Sequence, residues 1–189
     1  MTEMLREDQL DLMLCNLVNQ EGELEYEHLC WDPVIFLVQS AHPCCRYARY
    51  RDTFYHPWID LREFEQEIFI LQHQGQSLRQ YSDQLLEEAG LSPQRITQIR
   101  NIETAAQMAA NGLGVSFCLE SYFRHMMFIQ PPYRFSVGER QLAADFSAAY
   151  RRGRQLPEYT VQFIHLLKNL MEMEVGRMVE MDKSVNKNL

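Results

Sequence analysis

The chain has 189 residues, of which 46% are hydrophobic and 23% charged, the balance of a water-soluble globular protein. Its 18 Lys and Arg face 26 Asp and Glu, giving a formal net charge of -8, opposite in sign to the basic surface of nucleic-acid-binding proteins. We therefore expect that this chain alone does not bind DNA or RNA.

Membrane contact and export are not expected either. The longest aliphatic run, residues 34–38, is far shorter than the roughly 20 apolar residues that cross a bilayer. The N-terminus, residues 1–8, is acidic where a secretory signal is basic, which favours a cytoplasmic location. The 5 cysteines are odd in number and scattered, so we expect reduced thiols without a disulfide framework.

The first part of the chain contains two predicted strands. Residues 10–16 mix alternation with apolar character, as buried strands do. An acidic connection, residues 21–25, leads to Pro33, after which β-branched and aromatic side chains predict a central strand over residues 34–38. Residues 44–62 show no hydrophobic period and predict a loop or short turns.

A strand over residues 68–71 is the next predicted element, and a capping box marks the helix after it. Ser77 and Gln80 have the spacing at which a hydroxyl and an amide satisfy free backbone N–H groups at a helix start. This pattern predicts a helix that begins at Leu78 and ends near Gly90.

A second strand and helix follow in the same order. Residues 96–99 predict a short strand, and Asn101 is expected to cap a helix that Gly112 and Gly114 close. Residues 115–119 predict another strand. Strands that alternate with helices indicate an α/β protein with mainly parallel pairing.

Two elements are predicted towards the C-terminus. Residues 142–150 resemble a strand, and Pro157 opens a helix that continues to about Val179. Residues 182–189 are polar and are expected to fray. The helix is expected to carry one apolar stripe, formed by Phe163, Ile164, Leu167, Leu170 and Met171.

Signatures of catalysis are absent from the sequence. It contains no nucleophile elbow, no His-Glu-x-x-His, no phosphate-binding loop and no Gly-x-Gly-x-x-Gly. Its 6 histidines never pair at one helical turn, so no local zinc motif forms. We expect no enzymatic activity, no catalytic residue, no metal and no cofactor.

One cluster of cysteine and histidine side chains could serve as metal ligands or as a nucleophile, and it leaves alternatives open. His42, Cys44 and Cys45 lie together, with Cys30 upstream, but a structural zinc site normally needs a second spaced pair of ligands. The preferred interpretation is loop thiols beside the end of a strand. An enzyme that uses Cys44, Cys45 or Cys118 with a histidine brought near by folding is the alternative from another class.

The two predicted helix starts, at Ser77 and Asn101, are the more informative feature. Each follows a short strand, and a helix N-terminus offers unpaired N–H groups and partial positive charge to a small anion. In open α/β sheets such ends gather beyond the carboxyl ends of the strands. By themselves, both residues are more simply interpreted as caps.

Residues 101–116 resemble the segment of LysR-type transcriptional regulators in which a helix ends in an Ala-x-Gly-x-Gly-hydrophobic turn into a strand. Further landmarks of that family occur in the same order. They are Leu10-Asp11-Leu12, residues 34–38 with His42-Pro43, Asp60-Leu61 before residues 68–70, and residues 150–156 before Phe163-Ile164.

The resemblance covers roughly residues 5–170 and implies the effector-binding domain of these regulators. That domain has two Rossmann-like α/β lobes of periplasmic-binding-protein type II, joined here by crossover segments at residues 32–40 and about 122–132. Lobe I is expected to be discontinuous, with residues 1–40 and 126–181. Lobe II would comprise residues 41–125, and residues 182–189 would form the tail.

The chain departs from the family in what it lacks. The winged helix-turn-helix and the first elements of lobe I are expected to be missing, so DNA would be bound through an absent N-terminal domain. A truncated lobe exposes a sheet edge and an apolar face. Together with the dimeric state that the resemblance to this family implies, this exposure predicts a homodimer.

The resemblance also implies a site for a small polar metabolite in the interlobe cleft. Glu103 would disfavour a carboxylate there and favour a cationic or zwitterionic effector. A solute-binding protein of the same fold without a transcriptional role is the alternative. The expected effector-binding residues are Asn16, Gln74, Gly75, Ser77, Asn101, Ile102, Glu103 and Thr104.

Overall fold

A computed structural model of the chain describes residues 1–185, and side chains within residues 1–171. The chain separates into two compact units. Unit 1 comprises Met1–Trp31 and the chain from Asp145 onward, and unit 2 comprises Asp32–Ala144. The return to unit 1 therefore falls after Ala144, later than residue 125, where the sequence placed the end of lobe II, because residues 133–135 still add a strand to unit 2.

Unit 2 contains the predicted strands and helices of the middle of the chain. The strand that enters it is longer than predicted, because the acidic segment expected to be a connection already pairs from Leu24 onward. Strand β2 (Leu24–Val38) begins in unit 1 and enters unit 2 at Asp32. The other elements of unit 2 are β3 (Ile68–Leu71), α2 (Ser77–Glu88), β4 (Arg95–Gln98), α3 (Ile102–Ala110), β5 (Val115–Leu119), α4 (Glu120–Arg124) and β6 (Tyr133–Phe135). Residues 44–62 form turns, as predicted, with 3-10 helices at Pro43–Tyr47 and Leu61–Phe64.

The sheet of unit 2 is mixed, which corrects the expectation of mainly parallel pairing. Strand β3 lies between β4 and β5 and is parallel to both, with Leu71 opposite Gln98 and Ile70 opposite Ser116. Strand β2 is antiparallel to β5 and to β6. The three parallel strands therefore end at one edge of the sheet.

Both faces of this sheet are covered. On one face Phe36, Phe69 and Phe117 are fully buried and pack with Leu78 and Leu85 of α2. On the other face the alternate residues of β2 and β5 pack against the alanines of α3. Burying one such aromatic or aliphatic side chain stabilises the fold by about 1.5–3 kcal/mol. Because both faces of the sheet are covered, successive residues of these strands are all buried, which explains why the strands are continuous apolar runs.

A buried charge network supports the same unit. Glu120, 1% exposed, accepts hydrogen bonds from the Arg124 Nε at 3.0 Å and the Arg134 Nη1 at 2.6 Å. Its other carboxylate oxygen lies 2.8 Å from the Nε2 atom of His56. Burial alone would raise the pKa of Glu120, but these partners outweigh it and lower the pKa to about 2.

Unit 1 is a small sheet with one helix on each face. Strand β7 lies between β1 and β2 and is antiparallel to β1, with Cys15 opposite Ser147. Leu5 of the first helix, an element the sequence did not predict, is buried on one face, and Ile164 of the last helix is buried on the other. The elements here are α1 (Thr2–Arg6), β1 (Met13–Leu17), β7 (Ala143–Arg151) and α5 (Glu158–Val185).

Helix α5 differs from its prediction in two ways. It begins after Pro157 as expected but continues past Val179 to Val185, inside the segment expected to fray, and residues 186–189 lie outside the described residues. The predicted stripe does not act as one face, because Ile164 is buried while Phe163 and Leu170 are each 44% exposed. Residues 163 and 164 point about 100° apart on a helix, so one sheet cannot cover both.

Gly114 allows β5 to approach β3 closely. Its φ of +152° is a conformation that other residues avoid, and a Cβ atom at this position would collide with the backbone oxygen of Ile68.

We predict that Gly114→Ala lowers the free energy of unfolding by about 3 kcal/mol or more, measured by urea denaturation. The matched control is Gly22→Ala, where a Cβ meets no atom within 4 Å. Equal effects of the two substitutions would contradict this account.

Glu120 makes the stability of unit 2 depend on pH. Because its pKa falls from an ordinary 4.5 to about 2 in the folded chain, the carboxylate stabilises the fold above pH 4.5, and this contribution is lost as the pH falls towards 2. We predict that Glu120→Gln costs about 3 kcal/mol at pH 7 and that its difference from the wild type shrinks below pH 4.5. Denaturation curves from pH 7 to 3 measure this. A difference that stays constant, or an equal loss in the exposed control Glu65→Gln, would refute it.

Candidate functional site

The loops that leave β3 and β4 lie side by side at the edge where the parallel strands end. The N–H group of Ile99, directly after β4, donates to the carbonyl oxygen of Leu71, the last residue of β3, at 2.9 Å. Each loop then leads into a helix, α2 or α3. The parallel register therefore brings the two predicted helix starts to one end of unit 2.

A tight turn connects β3 to α2. The N–H group of Gln76 donates to the carbonyl oxygen of His73 at 3.2 Å, and Gly75, the third residue of this turn, has a φ of +88°. That position of a type II turn requires a positive φ, which explains the glycine. Gln74 and Gly75 are exposed at the tip of the turn.

Gln76 joins the two loops. Its Oε1 atom accepts a hydrogen bond from the His73 N–H at 3.1 Å, and its Nε2 atom donates to the carbonyl oxygen of Arg100 at 3.2 Å. Gln76 is also the N-cap residue of α2, which corrects the predicted capping box. Ser77 is already the first helical residue, and a capping side chain must belong to the residue before it.

Asn101 caps α3, as the sequence predicted. Its Oδ1 atom accepts a hydrogen bond from the Thr104 N–H at 2.8 Å, and its φ of -89° with ψ of 121° is the extended conformation of an N-cap. The N–H groups of Ile102 and Glu103 have no acceptor within a helix, because they belong to its first turn. Glu103 and Thr104 are exposed, so this helix start is open to solvent.

Gln72 is a residue of this region that the sequence interpretation missed. It directly follows β3, is fully buried, and both polar atoms of its side chain lack a partner in the part of the chain that the structure describes. Its carbonyl oxygen accepts from the buried Arg79 guanidinium at 3.1 Å. A glutamine at the end of an apolar strand was the available signal, because a buried amide without a partner costs free energy.

The structure brings most of the predicted site residues together. Asn16 is the exception, because it lies within β1 of unit 1, opposite Phe146, with a buried Oδ1 atom that has no partner among the described residues. Its place in a site stays a prediction. The residues on the two loops and helix starts of unit 2 are Gln74, Gly75, Ser77, Asn101, Ile102, Glu103 and Thr104.

The soft-ligand cluster does not form a metal site. The His42 ring accepts from the Cys44 N–H at 3.2 Å and lies 3.3 Å from Glu67, and no group of His, Cys, Asp or Glu among the described residues could hold a metal ion. Burial raises the pKa of the Cys44 and Cys45 thiols, and that of Cys118 to about 12. These thiols are therefore poor nucleophiles at neutral pH.

Comparison with known proteins agrees with this architecture. The family described as the LysR substrate binding domain matches residues 1–172. The uncharacterized HTH-type transcriptional regulator YybE of Bacillus subtilis (strain 168) is 31% identical over 114 residues, which are 60% of this chain and 36% of that protein. The match thus spans about a third of this relative.

Solved structures with the same fold include two domains with a small molecule bound. The CcmR regulatory domain of Synechocystis PCC6803 in complex with 2-PG has a TM-score of 0.73 and 18% identity, over 89% of this chain and 77% of that one. The BenM effector binding domain with benzoate has a TM-score of 0.72 and 16% identity, over 93% and 75%. No described helix is long and apolar enough to span a membrane.

The link through Gln76 can be tested directly. We predict that Gln76→Ala speeds amide hydrogen exchange in residues 73–76 and 100–104 by about threefold to tenfold, because the side chain loses its two hydrogen bonds to backbone groups. Gln74→Ala, in the exposed tip of the same turn, is the control and should leave exchange in residues 100–104 unchanged. If both variants loosen the two loops equally, Gln76 does not connect them.

Proposed function

The chain belongs to the LysR substrate-binding domain family, and on this premise we propose that it senses a small polar metabolite at the two helix starts of unit 2. It performs no chemistry on that ligand, since the family is regulatory and not enzymatic. The observation that carries the proposal is Gln76, whose side chain holds the loops before α2 and α3 together.

The chemistry of this region suits hydrogen bonding to a compact ligand. The N–H groups of the first two residues of α2 and of α3 are donors that their own helices cannot satisfy, and the two helix ends add partial positive charge. Gln72 directly follows β3, in the segment that leads to α2, and its side-chain amide can both donate and accept hydrogen bonds. The solved domains with 2-PG, benzoate and shikimate show that relatives of this fold bind small molecules.

Glu103 narrows the class of ligand. Its carboxylate is exposed in the first turn of α3, next to the N–H groups that would bind an anion. A purely anionic ligand would be repelled by this charge, whereas an ammonium group would be attracted by it. We therefore propose a zwitterionic metabolite, with its anionic group on the helix N–H donors and its cationic group near Glu103.

The ligand acts by shifting a conformational equilibrium. A metabolite changes the state of a sensor only if it binds one conformation more tightly than another. We propose that this change modulates transcription through a DNA-binding part, as expected for a chain similar to an HTH-type regulator, and that the protein works in the cytoplasm. A solute-binding role is the weaker alternative, because the curated relative is named as a transcriptional regulator.

Isothermal titration of the 189-residue chain against matched amino acids, amines and carboxylates tests the proposal. We predict that a zwitterion binds and that Glu103→Gln weakens this binding by about threefold to tenfold, the size expected of one solvent-screened charge. The control Glu65→Gln removes an exposed charge elsewhere in unit 2 and should not change the affinity. If a simple carboxylate binds more tightly than the matched amino acid, the proposal of a zwitterionic ligand is wrong. If a folded chain binds no small molecule, the proposed function fails.

A further inference from the structure

A tight turn at the end of β7, residues 151–154, carries three arginines in four residues. The N–H group of Arg154 donates to the carbonyl oxygen of Arg151 at 3.3 Å, and Gly153, the third residue of the turn, has a φ of +74°. These are the features of a type II turn, whose two ends lie within about 7 Å of each other. The side chains of Arg151, Arg152 and Arg154 therefore leave the backbone close together. We call residues 151–154 the arginine turn.

The arginine turn borders a cavity of about 530 Å³ in unit 1. Sites for small molecules have volumes of roughly 300–1,000 Å³, so this cavity is of a size that holds one. A Cβ atom added to Gly153 would meet no atom within 4 Å, which shows that the turn is open on that side. The lining consists of Asp8, Arg151, Arg152, Gly153 and Arg154.

The carboxylate of Asp8 lies between two of the arginines. One of its oxygens accepts a hydrogen bond from the Arg151 Nη1, and the other accepts from the Arg154 Nη1 at 3.3 Å. Asp8 has a φ of +57°, a conformation that is uncommon for a residue with a Cβ atom. Arg154 also pairs with Asp11. Three guanidinium groups thus meet two carboxylates here, and the cavity keeps an excess of positive charge.

Arg152 carries this excess charge. Its exposed side chain has no ion-pair or hydrogen-bond partner within the described part of the chain, although Asp and Glu outnumber Lys and Arg by 26 to 18. Its backbone N–H group donates to the carbonyl oxygen of Glu23 at 2.9 Å, but the carboxylate of Glu23 pairs with the Arg6 Nε at 2.8 Å. The N–H donors of the Arg152 guanidinium are therefore available to a ligand.

We propose that the arginine turn binds the phosphate group of a small metabolite. The phosphate takes the place of the Asp8 carboxylate beside Arg151 and also accepts hydrogen bonds from Arg152. A phosphate suits several guanidinium groups better than a carboxylate does, because its oxygens point in tetrahedral directions and a carboxylate has two oxygens in one plane. It also carries up to two negative charges, whereas Asp8 carries one.

This site lies in unit 1 and does not depend on the proposed ligand site of unit 2. Amide NMR spectra of the ¹⁵N-labelled 189-residue chain, titrated with inorganic phosphate at about pH 8, test it against chloride at equal ionic strength. We expect saturable shifts in residue 8 and residues 151–154. Arg152→Gln should weaken the binding by about threefold to tenfold, because one charged donor is lost. Arg140→Gln, which removes an exposed arginine of unit 2, is the control and should leave the affinity unchanged.

Asp8→Asn should change the affinity in the opposite direction. The substitution removes the carboxylate that competes with the phosphate, and asparagine tolerates a positive φ as aspartate does. We expect phosphate to bind about threefold to tenfold more tightly to this variant. The control Asp52→Asn removes an exposed carboxylate of unit 2 and should have no effect. A turn in which Asp8 serves only to hold the arginines would show no tighter binding.

Glycerol phosphate distinguishes a metabolite site from a site for the free ion. It should bind at least as tightly as inorganic phosphate, because the cavity has room for its organic part. Several results would overturn the proposal: no saturable shift in residues 151–154, an unchanged affinity in Arg152→Gln, weaker binding in Asp8→Asn, or binding of inorganic phosphate alone. Shifts confined to residues 73–76 and 101–104 would place the anion at the helix starts of unit 2 and would also overturn it, while leaving the proposed function intact.

Discussion

The candidate site depends on the parallel pairing of β3 with both of its neighbours. Because β4 and β5 run in the same direction as β3, their carboxyl ends reach one edge of the sheet. The chain must then return along the faces of the sheet, and α2 and α3 provide this return. Two helix N-termini therefore lie at one edge for a topological reason, before any particular side chain is considered.

The packing of unit 2 also depends on two buried carboxylates, those of Glu120 and Asp32. Glu120 connects His56, Arg124 and Arg134, which come from a turn, from α4 and from β6. Asp32, where the chain enters unit 2, accepts from the N–H and the hydroxyl of Ser121 at 3.0 and 2.5 Å. Burial raises the pKa of Asp32, an effect that these hydrogen bonds oppose. These two carboxylates thus hold a turn, α4 and β6 against a sheet whose own core is apolar, an arrangement that a hydrophobic core alone would not specify.

The two helix starts show how far local sequence reasoning reaches. At Asn101 the cap was predicted and confirmed, because an Asx side chain bonds to the N–H three residues ahead and needs nothing else. At Ser77 the same reasoning was wrong by one residue, since Gln76 takes the N-cap position and uses its side chain to reach Arg100. That acceptor is distant along the chain, so no local pattern could indicate it. The glutamine at position 72 was a signal in the sequence, but its full burial could not be predicted, because a lone polar residue after a strand usually lies at the surface.

The sequence by itself determined the α/β class, most strand and helix positions, the family resemblance and the loops that carry the candidate site, because apolar periodicity and capping chemistry are local. Tertiary structure decided the antiparallel place of β2, the return to unit 1 after Ala144 and the two faces of α5. Periodicity shows that Phe163 and Ile164 are both apolar, but a helix can turn one narrow face to one sheet. Which side chain is buried, and which is left for another surface, follows from the packing of distant segments.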